Sequence, residues 1–213
     1  MAAEAESIAK DYGVICEPFA CDLSDSTDQA RLAEFLSEGR LDIVVNNAGA
    51  IPGGSVTDVD EATWREAWDL KVFGYINLTR LLFPRLTEQG HGVIANVIGA
   101  AADRPNPGYI AGAAGNSALV GFTKAMGSTS LRHGVRVFAV NPGLIITDRM
   151  GDILRRQALD KFDDAERWQE LIPTDPAPGT VEQVADVVTF LASPRASHVS
   201  GCVLTLDGGA SAR

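Results

Sequence analysis

Cysteine, histidine and positive charge are scarce in this sequence, and each shortage closes off a class of function. Three cysteines, Cys16, Cys21 and Cys202, occur in 213 residues with no CxxC spacing. That pattern excludes a disulfide framework or a thiolate metal centre and leaves buried, reduced thiols as the expectation. His91, His133 and His198 have no carboxylate or second histidine at ligand spacing beside them, so no metal site is expected. Lysine and arginine number 18 against 28 aspartates and glutamates, a formal net charge of -10. This is the wrong sign for a phosphate backbone, and no nucleic-acid partner is expected. No uninterrupted apolar run approaches the roughly 18 residues of a membrane span. The opening Met-Ala-Ala-Glu-Ala-Glu-Ser carries neither a basic segment nor an apolar signal core, so the expected location is cytoplasmic, with no membrane partner. Repeats and low-complexity tracts are also lacking. So is a strand followed by a glycine-rich turn near the front.

What is present is alternation. At 46% hydrophobic content the chain can bury one core, and a single domain over 1–213 is expected. Short apolar runs at 14–21, 42–46, 92–98, 135–140 and 202–206 read as strands. Between them, stretches at 3–12, 28–38, 61–86, 110–131 and 181–192 carry apolar residues at spacings of three and four and read as helices. Thr180 before Val181, with Gln183 three residues on, is a capping box, and Asp25 or Ser26 stands before the second helix. Strands alternating with helices predict an α/β fold, a Rossmann-like doubly wound parallel sheet covered on both faces. Residues 148–178 are the least regular stretch. The charges at 155–170 read as a solvated face, and Trp64, Trp68 and Trp168 as packing residues.

Three motifs sit where such runs end. Asn46-Asn47-Ala48-Gly49 closes the run at 41–45, Asn141-Pro142-Gly143 closes a second, and Leu206-Asp207-Gly208-Gly209 follows the last. Ligands bind outside the carboxyl ends of strands in open α/β sheets. With these motifs the chain resembles the short-chain dehydrogenase/reductase family over essentially its whole length. The resemblance implies NAD(P)-dependent hydride transfer between an alcohol and a carbonyl on a small-molecule substrate. Against the family pattern the front is truncated: the first two family strands and the glycine turn are absent. The strand at 42–46 is then expected to show an unpaired edge. Either the chain is a fragment of a longer product or something unseen covers that edge.

The resemblance also assigns residues. Asp22, with Leu23 after it, matches the carboxylate that accepts from the adenine amine, the bland alternative being a turn aspartate. Asn47, Ala48 and Gly49 match a tight approach to the ribose. Pro142, Gly143, Ile145 and Thr147 match the segment that holds the nicotinamide carboxamide. Asp207-Gly208-Gly209 is expected to be structural. Which of NAD and NADP is used stays open, because the selecting residue would follow the missing second strand. Substrate identity stays open as well.

The family's catalytic positions are all substituted. Aligned from Ala118-Leu119-Val120-Gly121-Phe122-Thr123-Lys124, the general-acid tyrosine falls on Gly112 and its lysine on Asn116. The serine falls on Gly99 and the helix asparagine on Lys71. A register using Tyr109 as the family tyrosine needs about three inserted residues within a helix and is rejected. Two changes are reciprocal: Lys71 stands at the asparagine site and Asn116 at the lysine site. Tyr109 precedes Gly112 by one helical turn and can project a hydroxyl into the same space. The catalytic candidates are therefore Lys71, Tyr109 and Asn116, with Lys71 and Tyr109 as a rebuilt proton-transfer pair. The alternative is drift in a non-catalytic binding or regulatory subunit, with Lys71 snorkelling and Tyr109 packing under the lid. A third reading is an unstable fragment that aggregates through its sheet edge. The resemblance further implies a substrate lid at 148–178. It also implies a homo-oligomer, dimer or tetramer, paired through the helices at 61–86 and 110–131.

Overall fold

In the computed structural model four apolar runs pair into one parallel sheet. They are β1 (Ile43–Asn46), β2 (Gly92–Val97), β3 (Val135–Pro142) and β4 (Val203–Leu206), in the order β1-β2-β3-β4. The structure describes the backbone of residues 1–213 and every side chain except those at 148, 149, 152, 153, 156 and 160. Ile43 pairs with Val93, Val93 with Arg136, and Ala139 with Val203.

Alternation along the strands divides two faces. Val44, Ile94, Val135 and Val137 point to one side, against Leu78, Leu82 and Leu86 of α4 (Gly74–Gln89). Leu23 and Leu32, the latter on α2 (Ser26–Phe35), close that layer. Val93, Ala95, Phe138 and Val140 point to the other, against Leu191 of α7 (Val181–Ala192). Every β3 residue from Val135 to Val140 is buried, so β3 is the centre of the core. Each such side chain contributes about 1.5–3 kcal/mol by leaving water.

Caps explain the helix starts. The Asp25 side chain accepts from the Thr27 and Asp28 amides ahead of α2, and Thr180 and Gln183 form a complete capping box on α7. The helix expected at 61–86 is α3 (Glu61–Trp68), a π-helical turn (Asp69–Phe73) and α4 in unbroken succession. It runs past Pro84 to Gln89, because Gly90, at φ 71, supplies the left-handed cap. The last long helix of the site is α5 (Ile110–Ser130).

Three expectations need correction. Residues 14–21 are not a strand: they follow α1 (Ala2–Tyr12) as irregular chain, with Val14 51% and Ile15 90% exposed. A strand exists only with a neighbour, and none stands beside this run. The stretch at 148–178 is more regular than expected, since Thr147 caps a 15-residue α6 (Asp148–Phe162), followed by a 3-10 helix, Ala165–Leu171. The three cysteines are half-buried rather than buried. On β1, Ile43 and Val45 remain 47% and 48% exposed.

Candidate functional site

The carboxyl edge of the sheet carries one asparagine on each of three strands. Asn46 and Asn96 stand in register, and Asn46 Nδ2 donates to Asn96 Oδ1 at 2.8 Å. Asn96 Nδ2 in turn donates to Thr123 Oγ1 at 2.9 Å, tying α5 to the sheet. Asn141, fully buried, gives its Nδ2 to Asp103 Oδ2 at 2.9 Å, and Thr205 Oγ1 donates to the same oxygen at 2.6 Å. Asp103 therefore joins β3 and β4 to the loop after β2. Tyr75 on α4 donates its hydroxyl to Val97 O at 3.0 Å, and burial pushes its phenol far above the usual tyrosine range. Buried amides are costly unless satisfied, so this edge has a single arrangement. None of these roles was read from the sequence. The signal available there was the recurrence of asparagine at the ends of three apolar runs.

The two residues that end this edge, Ile98 and Gly99, offer consecutive carbonyls. Lys71 Nζ, on the buried side of the π turn, donates to Ile98 O at 2.6 Å. Asn116 Nδ2, on α5, donates to Gly99 O at 3.3 Å. The structure thus brings Lys71 and Asn116 to adjacent carbonyls of one loop. The carbonyl also fixes the amide's orientation, since a flipped Asn116 would set oxygen against oxygen. Asn116 Oδ1 is buried and has no hydrogen-bond partner among the described residues.

Each of the three catalytic candidates lies on a glycine. A Cβ on Gly49 would meet Lys71 Cδ at 2.8 Å, and one on Gly99 would meet Asn116 Nδ2 at 2.9 Å. One on Gly112 would come within 2.0 Å of Cε1 and Cζ of Tyr109 and 2.6 Å of its Oη. Gly99 also has φ 140, a conformation that side chains resist. Tyr109 precedes α5, pairs with Gly54 through an isolated parallel bridge, and packs among Ile51, Ala67, Ala111, Trp64 and Trp68.

The cofactor candidates fall into two groups at the same edge. Asp22 and Ser24 line a cleft of about 380 Å³ with Ala50, Pro52, Thr63, Glu66, Ala67 and Leu70. Asp22 Oδ1 accepts from Ser24 Oγ at 2.7 Å and from the Ser24 amide at 2.8 Å. The hydroxyl first and the amide second hold this carboxyl below the usual range. Leu23 gives its carbonyl to Gln29 Nε2 at 2.6 Å and lies against Gly74, so its backbone is structural. Asn47 and Gly49 are exposed and Ala48 half-buried on the loop leaving β1. Pro142 ends β3, and the Gly143 amide donates to Leu206 O at 2.8 Å, with no room for a Cβ beside Asp207. Ile145 bridges to Gly179, and Thr147 Oγ1 accepts from the Met150 amide at 3.2 Å to start α6. The bridge ties the two ends of the 148–178 stretch together, with Gly179 N donating to Leu144 O at 2.9 Å. Asp207 accepts from the Gly209 and Ser211 amides and closes the turn after β4. Among the described residues no cluster of histidine, cysteine, aspartate or glutamate can hold a metal, and no helix is long and apolar enough to cross a membrane.

Comparison with known proteins agrees with this architecture. Residues 1–211 match the family described as enoyl-(acyl carrier protein) reductase. The chain is 30% identical over 191 residues to the 7alpha-hydroxysteroid dehydrogenase of Escherichia coli K12, covering 89% of this chain and 72% of that one. It is also 30% identical over 198 residues to the 3-oxoacyl-(acyl-carrier-protein) reductase of Thermotoga maritima, covering 91% and 76%. Among solved structures, L-sorbose reductase from Gluconobacter frateurii, complexed with NADPH and L-sorbose, shares the fold at a TM-score of 0.90. There the identity is 24%, covering 97% of this chain and 81% of that one.

Proposed function

The chain belongs to the short-chain dehydrogenase/reductase family of NAD(P)-dependent oxidoreductases, and from that premise we propose that it interconverts an alcohol and a carbonyl on a small-molecule substrate with a rebuilt proton-transfer site. The observation that carries this reading is the set of three glycine seats. Lys71, Tyr109 and Asn116 each rest on a glycine that leaves them room, at Gly49, Gly112 and Gly99. Drift would fill or collapse such spaces independently, whereas three matched pairs favour a working arrangement.

The residues present fit NAD or NADP on two counts. Asn116 Oδ1 is a buried acceptor with no donor among the described residues, and the Asp22 cleft offers a carboxylate beside Ser24, Ala50, Thr63 and Ala67, with Glu66 and Leu70 at its border. On this reading Asp22 holds the adenosine end, with Leu23 anchoring it to the core rather than touching the cofactor, and Asn47, Ala48 and Gly49 border the ribose. Pro142, Gly143, Ile145 and Thr147 hold the carboxamide. When bound, the nicotinamide supplies or takes the hydride at the carbinol carbon.

Within the chain, Tyr109 Oη gives its proton to the carbonyl oxygen in the reducing direction and recovers it in the other. Lys71, as an ammonium fixed on Ile98 O, supplies the positive charge of the pair. The 148–178 stretch, closed at its neck by the Ile145–Gly179 bridge, excludes water as a lid over the domain formed by 1–213. The aromatic surface of Trp64, Trp68 and Phe73, which borders a groove of about 490 Å³, belongs in this reading to a homo-oligomer interface.

The test is nicotinamide absorbance during turnover of a panel of alcohols and ketones, with Lys71→Met and Tyr109→Phe compared to the native protein. Each substitution is expected to lower kcat by about 10²–10⁴-fold, and unchanged rates would overturn the pair. Complete absence of turnover alongside tight NAD or NADP binding would favour the non-catalytic subunit.

A further inference from the structure

We infer that Trp68 is a positioning residue that sets the register between the π turn carrying Lys71 and the helix carrying Tyr109 and Asn116; the inference rests on the proton-transfer reading above. Trp68 is the last residue of α3, and the π turn begins directly after it. Its indole Nε1 donates to Ala111 O at 3.0 Å, across from one helix to the other. Ala111 lies in the first turn of α5, between Tyr109 and Gly112.

The bond matters because of what surrounds it. The buried residues here on α5 are Ala111, Gly112, Ala113, Gly115 and Asn116, and the alanines and glycines among them form shallow ridges. Ridges and grooves ordinarily fix how two helices slide past one another. A seam of alanine and glycine gives little resistance to sliding, so a directional bond must supply the register. Gly115 completes the lock: a Cβ there would meet Val72 Cγ2 at 3.0 Å and Trp68 Nε1 at 3.2 Å.

Val72 follows Lys71, and Asn116 follows Gly115. Seating Val72 on Gly115 therefore sets Lys71 and Asn116 opposite the two consecutive carbonyls they occupy, those of Ile98 and Gly99. Trp68 also packs in both aliphatic clusters that meet at this corner. π turns carry one residue more than an α-helical turn and occur often at functional sites. Here the extra residue directs Lys71 inward, and Trp68 is the point from which that direction is set.

The test is Trp68→Phe, which keeps the ring and removes the N–H, against Trp68→His, which keeps a ring N–H. One readout is independent of turnover: the acylation rate of Lys71 in the folded protein, followed by peptide mass spectrometry at mildly alkaline pH. Trp68→Phe is expected to change that rate by about threefold or more and to lower kcat about tenfold with KM little altered, as a shift well below 1 Å suffices. Trp68→His is expected to restore both toward native values. A Lys71 rate that moves in a protein showing no turnover sinks the oxidoreductase reading and keeps the positioning role. A Trp68→Phe protein with native Lys71 reactivity, or a Trp68→His protein that behaves as Trp68→Phe does, overturns the inference.

Discussion

The ring of Tyr109 occupies the space a side chain on Gly112 would need, with Cε1 and Cζ both 2.0 Å from where a Cβ would stand. The contact opposes the ordinary helix rule. Alanine is better than glycine inside a helix by about 1 kcal/mol, yet an overpacked core site costs about 1–3 kcal/mol. Gly112→Ala is therefore expected to lower the urea midpoint. Gly121, on the same helix with nothing within 4 Å of where a methyl would stand, is the control. Gly121→Ala is expected to stabilise by about 1 kcal/mol and raise the midpoint, and equal effects at the two sites would contradict the stacking.

Arg136 predicts a large loss. It is 6% exposed, and its guanidinium donates to four carbonyls around the end of α7: Leu191 at 2.6 Å, Ala192 at 2.8 Å, Ala196 at 3.0 Å and Ser193 at 3.1 Å. Burial draws its pKa below the usual arginine range. Arg136→Met keeps the stem and orphans those carbonyls, with an expected cost of about 3 kcal/mol. Arg136→Lys, with fewer donors, should recover only part. Chemical denaturation that leaves Arg136→Met within experimental error of native would refute this account.

Asp103 is exposed, yet two polar side chains depend on it. Asp103→Ala takes the acceptor from Asn141 Nδ2 and Thr205 Oγ1. A buried donor left without a partner costs about 1–3 kcal/mol. Amide exchange should quicken first at Thr205 and its β3 partner Asn141; faster exchange confined to residues far from this pair would argue against the link.

The acid limb of stability should include Asp22. Its folded carboxyl lies below the unfolded value of about 3.9, chiefly because of the Ser24 hydroxyl and then the Ser24 amide. A depressed carboxylate stabilises at pH above its unfolded pKa, and that contribution is lost as pH falls through the folded value. Ser24→Ala is expected to raise the Asp22 pKa, as read from carboxyl-carbon chemical shifts, and an unmoved titration would exclude the hydroxyl as the main cause.

Much of the fold was legible because it depends on local pattern. The runs at 42–46, 92–98, 135–140 and 202–206 are strands in the structure to within two residues at either end, and both caps read in the sequence are made. The run at 14–21 has the same apolar look but no neighbour, and sequence pattern does not report neighbours. The π turn at Asp69–Phe73 was invisible as well: no residue preference marks its extra residue, and its contact with α5 through Val72 and Gly115 is not a sequence signal. In the site, Gly99 and Gly112 read as losses, because a glycine in a sequence shows only what it lacks. The structure shows what each makes room for, Asn116 in one case and Tyr109 in the other. The closeness of Lys71 and Asn116 was legible through their exchange, whereas Trp68 read only as packing, since its N–H has a partner 43 positions away.

The glycine seats also constrain how this sequence can have changed over time. A serine at 99 would strike the Asn116 amide and would have to adopt φ 140; a tyrosine at 112 would strike the ring of Tyr109. Each step alone displaces the side chain it meets. Growth at 99 moves the Asn116 amide and growth at 112 moves the Tyr109 ring, so the substitutions are coupled in pairs. A change at either glycine is therefore read through its partner, and the effect of one depends on which residue already stands at the other.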